Sequence, residues 1–333
     1  MGYSNGGNGQ MTWAMFQEKL GEKRAKWASC GIPAVAGEML VSQGKEWRAR
    51  LVFLTAQLLG PVTPAHEALA CAIECVHTAS LLHDDVLDQG NLRRGRPCTH
   101  RVWGNTVAIL SGDWWLAKGF SILLQVGNLD VIARVQRATI QLVQGQLADC
   151  QMTYQASRSA YLTMIEDKTA CLFAVAAAAS GMLSGASLGQ ITALEAYGKG
   201  VGMAYQLRDD ACEYGESPEN WHMGHDFFQK KTTCPVVMMG EPGHEGAYID
   251  FLSIQKKVVR LIDQGECSSQ DERFPVGLVP ELAPWLEKVH LGIKPFVDGT
   301  LALANGYTAC ALGGLDSLWP KDETRDFVEY SYF

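Results

Sequence analysis

The chain is predicted to be all-α: many helices folded as one domain. Three observations lead there. Apolar residues recur at helical period along most of its 333 residues, and no convincing series of alternating strands is present. Apolar residues make up 47% of the chain and charged residues 19%, a balance that supports a large core and excludes wholesale disorder.

The elements follow in order. Met1 to Gln10, rich in glycine and asparagine, reads as a disordered tail, which leaves 11–333 as the domain. Thr63 followed by Pro64 predicts an N-cap and a first helical position, and one long helix continues to Asp88. His77, Leu81, Asp84, Asp85 and Asp88 fall on one stripe of it. Breaks follow at Gly90 and at Arg94-Gly95-Arg96-Pro97. Long helices are predicted from about Asn105 to Val126, Leu129 to Gln155, Ser159 to Leu183 and Gly189 to Gly215. The most apolar stretch, Cys171 to Ala186, is shorter than the ~18 to 20 residues that span a bilayer, so it reads as a core helix. In the last long helix Gly198, Gly202, Tyr205, Gln206, Asp209 and Glu213 share a stripe, small at one end and acidic at the other. Such a stripe suits close helix packing or the wall of a cavity. Ser217 to Pro235 reads as a polar loop, followed by shorter amphipathic helices between glycine- and proline-containing turns.

A net charge of −8 argues against nucleic acid as the main partner, yet a basic pocket for a small anion can exist inside an acidic protein. Ten cysteines are scattered singly, without zinc spacing, and no secretory signal is evident. The expectation is a reducing, cytoplasmic setting with buried thiols and no stable membrane anchor.

Two acidic clusters carry the chemistry. Asp84, Asp85 and Asp88 stand at i, i+1 and i+4, and Asp209, Asp210 and Glu213 repeat that spacing. On a helix each cluster presents oxygen ligands to one point, as Mg²⁺ needs when it also holds phosphate oxygens. One such cluster alone is most simply a solvated helix face. The first, however, ends an apolar helix, where bare carboxylates are costly, and Arg93, Arg94 and Arg96 follow at once. Metal-gathering carboxylates beside guanidinium groups make a diphosphate-binding set.

At these residues the chain resembles the trans-isoprenyl diphosphate synthases, or polyprenyl synthases, from about Gly44 to Pro235. Gln43-Gly44-Lys45-Glu46-Trp47-Arg48 is similar to the family's Gly-Lys-Arg-x-Arg element. His77 through Asp88, then Arg93 to Pro97, resembles its first aspartate-rich region. Gly112-Asp113 and Lys168-Thr169 occupy familiar intermediate positions. Tyr205 to Asp210 resembles the second region, and Gly224-His225-Asp226 with Lys231 to Pro235 the lysine-bearing loop after it.

The resemblance implies a helical bundle of the isoprenoid synthase type with a central cavity, a homodimer, and three Mg²⁺ ions per site. Asp84, Asp85 and Asp88, with Asp209, Asp210 and Glu213 opposite, would bind the metal. Arg93, Lys168, Thr169, Gln206 and Lys231 would hold an allylic prenyl diphosphate. Lys45, Arg48, His77 and Arg94 would hold isopentenyl diphosphate, and head-to-tail transfer would yield an all-trans polyprenyl diphosphate. Each residue also has a plain structural reading: Lys45 and Arg48 as surface cations, His77 as a core histidine, Lys168 as a surface partner of Glu166 or Asp167. The chain departs from the family pattern at Glu46, where Arg is common, and at Ala49, where Pro is usual. Further departures are Gln146 for a frequent Glu, Glu213 for Asp, and Lys230 for Gly.

Product length in this family depends on a tunnel below the first cluster. Ala79 and Ser80, with Val76 and Ala72 deeper, are small and leave it open, which leans towards products above twenty carbons. Trp114 and Trp115 stand on a helix that would line the tunnel; Trp115 reads either as its floor or as core packing. Three other functions stay open: geranylgeranyl diphosphate synthesis, terpene cyclisation on the same fold, and a non-catalytic subunit of a two-component synthase.

Overall fold

A computed structural model describes residues 11–29, 44–214, 225–228, 230–263 and 283–331; the tail expected at 1–10 lies outside them. The elements are α1 (Trp13–Ser29), α2 (Trp47–Leu59), α3 (Pro64–Leu87), β1 (Leu92–Arg93), β2 (Arg96–Pro97), α4 (Thr99–Trp103), α5 (Asn105–Val126) and α6 (Leu129–Gln151). Then come α7 (Arg158–Ile165), a π-helical turn (Glu166–Ala170), α8 (Cys171–Leu183), α9 (Leu188–Cys212), α10 (His225–Phe228), α11 (Cys234–Met239), α12 (Glu245–Asp263), α13 (Ala283–Asp316) and α14 (Arg325–Ser331). The fold is all-α, as expected, with one two-stranded ladder among the described residues.

Helix α8 is the hub. Residues 171 to 181 are all buried, because after Cys171, Leu172 and Phe173 the helix is Ala, Val, Ser and Gly, with no charged face to keep in water and little bulk to keep neighbours away. It packs on α2, α3, α6 and α9. His66 ties the start of α3 to the end of α8: the Thr63 backbone N–H donates to His66 Nδ1 at 3.1 Å, and His66 Nε2 lies 3.1 Å from Ser184 Oγ. The small stripe of α9 serves close packing. A methyl on Gly198 would collide with the Phe173 carbonyl, and one on Gly202 would lie 2.6 Å from Ala170 Cα.

Several boundaries differ from expectation. The helix expected to Gln155 ends at Gln151, and the single helix expected over 159–183 is broken in phase by the π-helical turn. Of the loop expected from Ser217 to Pro235, 217–224 and 229 lie outside the described residues, while 225–228 and 234–239 are helical. Pro235 sits in the first turn of α11, where no backbone donor is needed. Two of the C-terminal helices are longer than expected, and α12 runs 19 residues. Helix α13 runs 34 residues with Pro295 inside it, held by burial of Phe296 and Val297 against α11 and α12. Of the eight described cysteines, all free thiols, Cys150, Cys212 and Cys310 are exposed, contrary to uniform burial.

Helix α5 is long and apolar enough to cross a bilayer by length and composition. One side packs on α3, where Gly112 accommodates the His83 ring and Gly119 lies against Ala72 and Cys75. Its other side, with α4 and α6, leaves Trp103, Ile109, Leu110, Ile140, Val143 and Leu147 exposed.

Candidate active site

The turn after α3 places two arginines. Leu92 pairs with Pro97 and Arg93 with Arg96, so Arg94 and Gly95 form the two-residue connection, at φ 55° and 73°. Positive φ at both positions is the type I′ signature, which matches the twist of a short hairpin. Arg93 folds back on α3, its Nε donating to Asp85 Oδ1 at 2.6 Å. The Arg94 guanidinium lies over Gly44, where a methyl would collide with it.

All four described non-glycine residues with positive φ, namely Glu46, Gln89, Arg94 and Lys230, flank segments that carry expected site residues. Non-glycine residues held there cost about 1 kcal/mol or more, and such strain gathers at functional sites. The glycine usual at position 230 thus has a physical reason: φ there is 57°. Glu46, one of the departures, is buried and accepts from Gln17 Nε2 at 3.2 Å, so one of its oxygens is turned to α1. At Ala49 the backbone N–H donates to Glu74 Oε1 at 3.0 Å, a bond proline could not make.

The lysines are not surface partners of their neighbours. Lys168 pairs with Asp149 Oδ2 at 2.5 Å, while Glu166 pairs with Lys199 and Asp167 accepts from Gln141. Lys231 bridges Asp88 Oδ2 at 2.5 Å and Asp226 Oδ1 at 3.6 Å. Both ammonium groups have raised pKa: desolvation works against the charge, and the carboxylates beside them outweigh it.

Two carboxylates report how the parts face each other. Burial raises the Asp84 pKa to about 6; Lys168, Lys231 and Arg93 pull it down and Asp88 pushes it up. Asp209 keeps water-accessible surface but sits deep among protein atoms, so desolvation raises its pKa first and Asp226 next, opposed by Lys231, Arg93 and Lys168. The same three cations therefore act on both acidic clusters. The ends of α3 and α9 therefore lie near a common set of cations, Arg93, Lys168 and Lys231.

Asp210 is differently employed. It accepts from Tyr161 Oη, from the Cys234 backbone N–H at 2.8 Å and from Gln206 Nε2 at 3.0 Å. Its pKa is still pushed by burial to about 7. Thr169 Oγ1 donates to Gln206 Oε1 at 2.9 Å, which completes a chain from the π-helical turn to Asp210. Glu213 has the strongest unmet demand: burial and then Asp226, Asp209 and Asp210 raise its pKa to about 8, and its Oε2 is buried without a hydrogen-bond partner among the described residues.

A divalent cation fits this donor set. The donors are carboxylate oxygens only, the choice of hard ions such as Mg²⁺, and burial raises the pKa of Asp84, Asp209 and Glu213, so that their charged forms lack a full counter-charge that a cation would supply. Among the described residues no three His, Cys, Asp or Glu side chains are yet gathered closely enough to hold a metal ion.

A second basic region adjoins the first. Burial holds the His77 imidazole well below its ordinary pKa, and Arg48, Arg94 and Arg93 push it lower. A neutral histidine among three guanidinium groups marks an anion site. Arg48 is buried with its guanidinium 4.4 Å from the Phe173 ring, and its Nε has no partner among the described residues. Lys45 is exposed, 5.9 Å from the Trp47 ring.

Along α3, Ala79 and Val76 are buried and Ser80 is partly exposed, its hydroxyl donating to the His77 carbonyl. Ala72 and Val76 face Gly119 of α5, so that part of the expected tunnel wall is covered by a neighbouring helix. Trp115 is buried in the same apolar cluster, edge-on to Trp114 at 5.1 Å. Asp149, Asp226 and Tyr161 are not among the site residues expected from sequence; Asp149 and Tyr161 have partners 19 and 49 residues away, whereas Asp226 pairs with nearby Lys231 and stands in one of the family-like motifs.

Comparison with known proteins gives one consistent group. A polyprenyl synthetase family model matches residues 32–258. The short chain isoprenyl diphosphate synthase of Methanothermobacter thermautotrophicus is 33% identical over 239 residues, 69% of this chain and 74% of that one. The octaprenyl diphosphate synthase of Escherichia coli is 32% identical over 198 residues, 58% of this chain and 61% of that one. Among solved structures, a polyprenyl synthase from Caulobacter crescentus, complexed with calcium and isoprenyl diphosphate, aligns with TM-score 0.76 at 27% identity, covering 96% of this chain and 92% of that one. A decaprenyl diphosphate synthase from Rhodobacter capsulatus aligns with TM-score 0.74 at 27% identity, covering 96% and 93%.

Proposed function

The chain belongs to the polyprenyl synthetase family, and from that premise we propose that it is a prenyltransferase joining an allylic prenyl diphosphate head to tail to isopentenyl diphosphate. The product is an all-trans polyprenyl diphosphate above twenty carbons. The observation that carries this reading is the sharing of Arg93, Lys168 and Lys231 between the two acidic clusters. A ligand that is itself strongly anionic and metal-binding uses both kinds of group at once.

In the reaction, Arg93, Lys168 and Lys231 take the diphosphate of the allylic substrate, with Thr169 and Gln206 fixing the wall between them. Arg93 and Lys231 exchange their present partners, Asp85 and Asp88, for phosphate oxygens, which frees those carboxylates. Asp84, Asp85, Asp88, Asp209 and Glu213 would then hold the metal, and Asp210, held by three donors, orients the end of α9. Bound magnesium, three ions by family likeness, supplies Lewis-acid neutralisation of the diphosphate. As the carbon–oxygen bond breaks, the charge growing on the leaving diphosphate meets cations already in place. Arg48, Arg94, His77 and Lys45 hold isopentenyl diphosphate so that its double bond faces the allylic carbon, which removes much of the entropic barrier.

Small side chains at Ala79 and Ser80 support a long product, as do the octaprenyl and decaprenyl synthases among the relatives. The exposed apolar side chains of α4, α5 and α6 support a homodimer covering that face, and free thiols suit a cytoplasmic setting.

The test is incubation of the purified chain with Mg²⁺, farnesyl diphosphate and labelled isopentenyl diphosphate, followed by sizing of products. Linear products beyond twenty carbons are expected. Cyclised hydrocarbon without uptake of label would mean a cyclase, and activity only after a partner is added would mean a subunit.

A further inference from the structure

We propose that two residues of α6 set the reach of Lys168 towards a bound diphosphate: Asp149, a positioning residue that holds the ammonium, and Gly145, the clearance that lets the segment carrying it approach. This rests on reading Lys168 as a diphosphate ligand.

Three observations carry it independently. The first is the ion pair itself, Lys168 Nζ to Asp149 Oδ2 at 2.5 Å, with little of either side chain exposed. The second lies one helical turn earlier, on the same face of α6. A methyl on Gly145 would collide with the Lys168 backbone nitrogen and would lie 2.7 Å from the Asp167 carbonyl carbon and from Lys168 Cα. These are backbone atoms, which cannot swing aside as a side-chain tip can. Any side chain at 145 must therefore push the Lys168 segment away from α6.

The third observation is the form of that segment. Residues 166–170 are π-helical between two stretches of α-helix, a local insertion that occurs often at functional sites. Its side chains are fastened one after another: Glu166 to Lys199 at 2.5 Å, Asp167 from Gln141 at 2.7 Å, Lys168 to Asp149, and Thr169 to Gln206 at 2.9 Å. The turn is thus pinned to α6 on one side and α9 on the other.

A lysine carries its charge on a flexible four-carbon stem, so a fixed position must come from its surroundings. Asp84 attracts the same ammonium, but a divalent cation at Asp84 would repel it. Asp149 lies on another helix and keeps its attraction when α3 is loaded. It occupies one of the three N–H donors and leaves two for phosphate oxygens.

The test is a double-mutant cycle on the full chain with Asp149→Asn, Lys168→Met and both together, read by calorimetric titration of inorganic diphosphate in Mg²⁺. Asp149→Asn should weaken binding about tenfold, the scale of one charge-assisted contact, and Asp149→Glu should recover part of it. In the Lys168→Met background the second substitution should change binding less than twofold, because Asp149 acts through Lys168. In turnover assays Asp149→Asn should raise KM for the allylic substrate more than it lowers kcat. Gly145→Ala should reproduce the binding loss; if that variant does not fold, the cycle alone decides. Full additivity in the cycle, or wild-type affinity in Asp149→Asn, would overturn the proposal. The cycle reads diphosphate binding alone, so its outcome is separate from whether the chain elongates prenyl groups.

Discussion

Replacing Asp84 with asparagine is expected to stabilise the metal-free protein at neutral pH while removing its turnover. Burial raises the Asp84 pKa from 3.8 to about 6, against the pull of Lys168, Lys231 and Arg93. An acid with a higher pKa folded than unfolded keeps its proton longer in the folded state. The unfolded chain therefore loses its proton first as pH rises. Stability present below about pH 4 is lost progressively up to about pH 6 and stays lost above it. A shift of roughly two units corresponds to at most ~3 kcal/mol, and water access to Asp84 makes about 2 kcal/mol the better figure. Asparagine keeps the shape without the charge, so its advantage should be near zero at about pH 4 and reach its full size above about pH 6. For a chain of 333 residues the unfolding entropy is on the order of 0.7 kcal/mol per degree, so the melting temperature should rise by about 3 °C at pH 7.5. Thermal unfolding by circular dichroism in EDTA at about pH 4.5, 5.5 and 7.5 reads this directly. Saturating Mg²⁺ with inorganic diphosphate should reverse the order, because wild type gains ligand stabilisation that the variant lacks. Equal or lower stability of the variant at pH 7.5 without metal, or an advantage that does not grow with pH, would refute the electrostatic reading.

Other outcomes follow from the same geometry. Asp85→Asn should cut turnover about 10²- to 10³-fold with unchanged circular dichroism, and near-normal activity would remove its metal role. Ala79→Phe should shorten the product on reversed-phase chromatography, and an unchanged distribution would remove the tunnel argument. Gly198→Ala should destabilise by about 1–3 kcal/mol in urea unfolding, because the new methyl meets the Phe173 carbonyl; a neutral result would mean that α8 and α9 separate easily.

What the sequence made legible were the local features. The acidic clusters, the proline start of α3, the exit turn with its arginines and the apolar core helix are each defined by neighbours within a few residues, and each stands where periodicity placed it. The family resemblance added Lys168 and Lys231 as site groups. What stayed hidden depends on distant partners. Nothing near Lys168 in sequence announces Asp149, 19 residues away, and nothing near Asp88 announces Lys231, 143 residues away. The π-helical turn leaves no trace in the apolar period, and the backbone it lies against, at Gly145, is on another helix. Asp210 shares the spacing of a ligand, yet its surroundings turn its oxygens to Tyr161, Gln206 and the Cys234 amide. Lys230 shows the converse: a backbone at φ 57° suits the glycine usual there, and nothing in the structure explains the lysine.

The central claim is that one diphosphate draws both acidic clusters to a common set of cations. Equilibrium dialysis with Mn²⁺ in place of Mg²⁺, with and without inorganic diphosphate, tests it most directly. The number of ions bound per chain should rise when diphosphate is added, and both Asp84→Asn and Asp209→Asn should abolish that rise. An ion count indifferent to diphosphate, or a rise that survives loss of Asp209, would mean that the two clusters do not share a ligand.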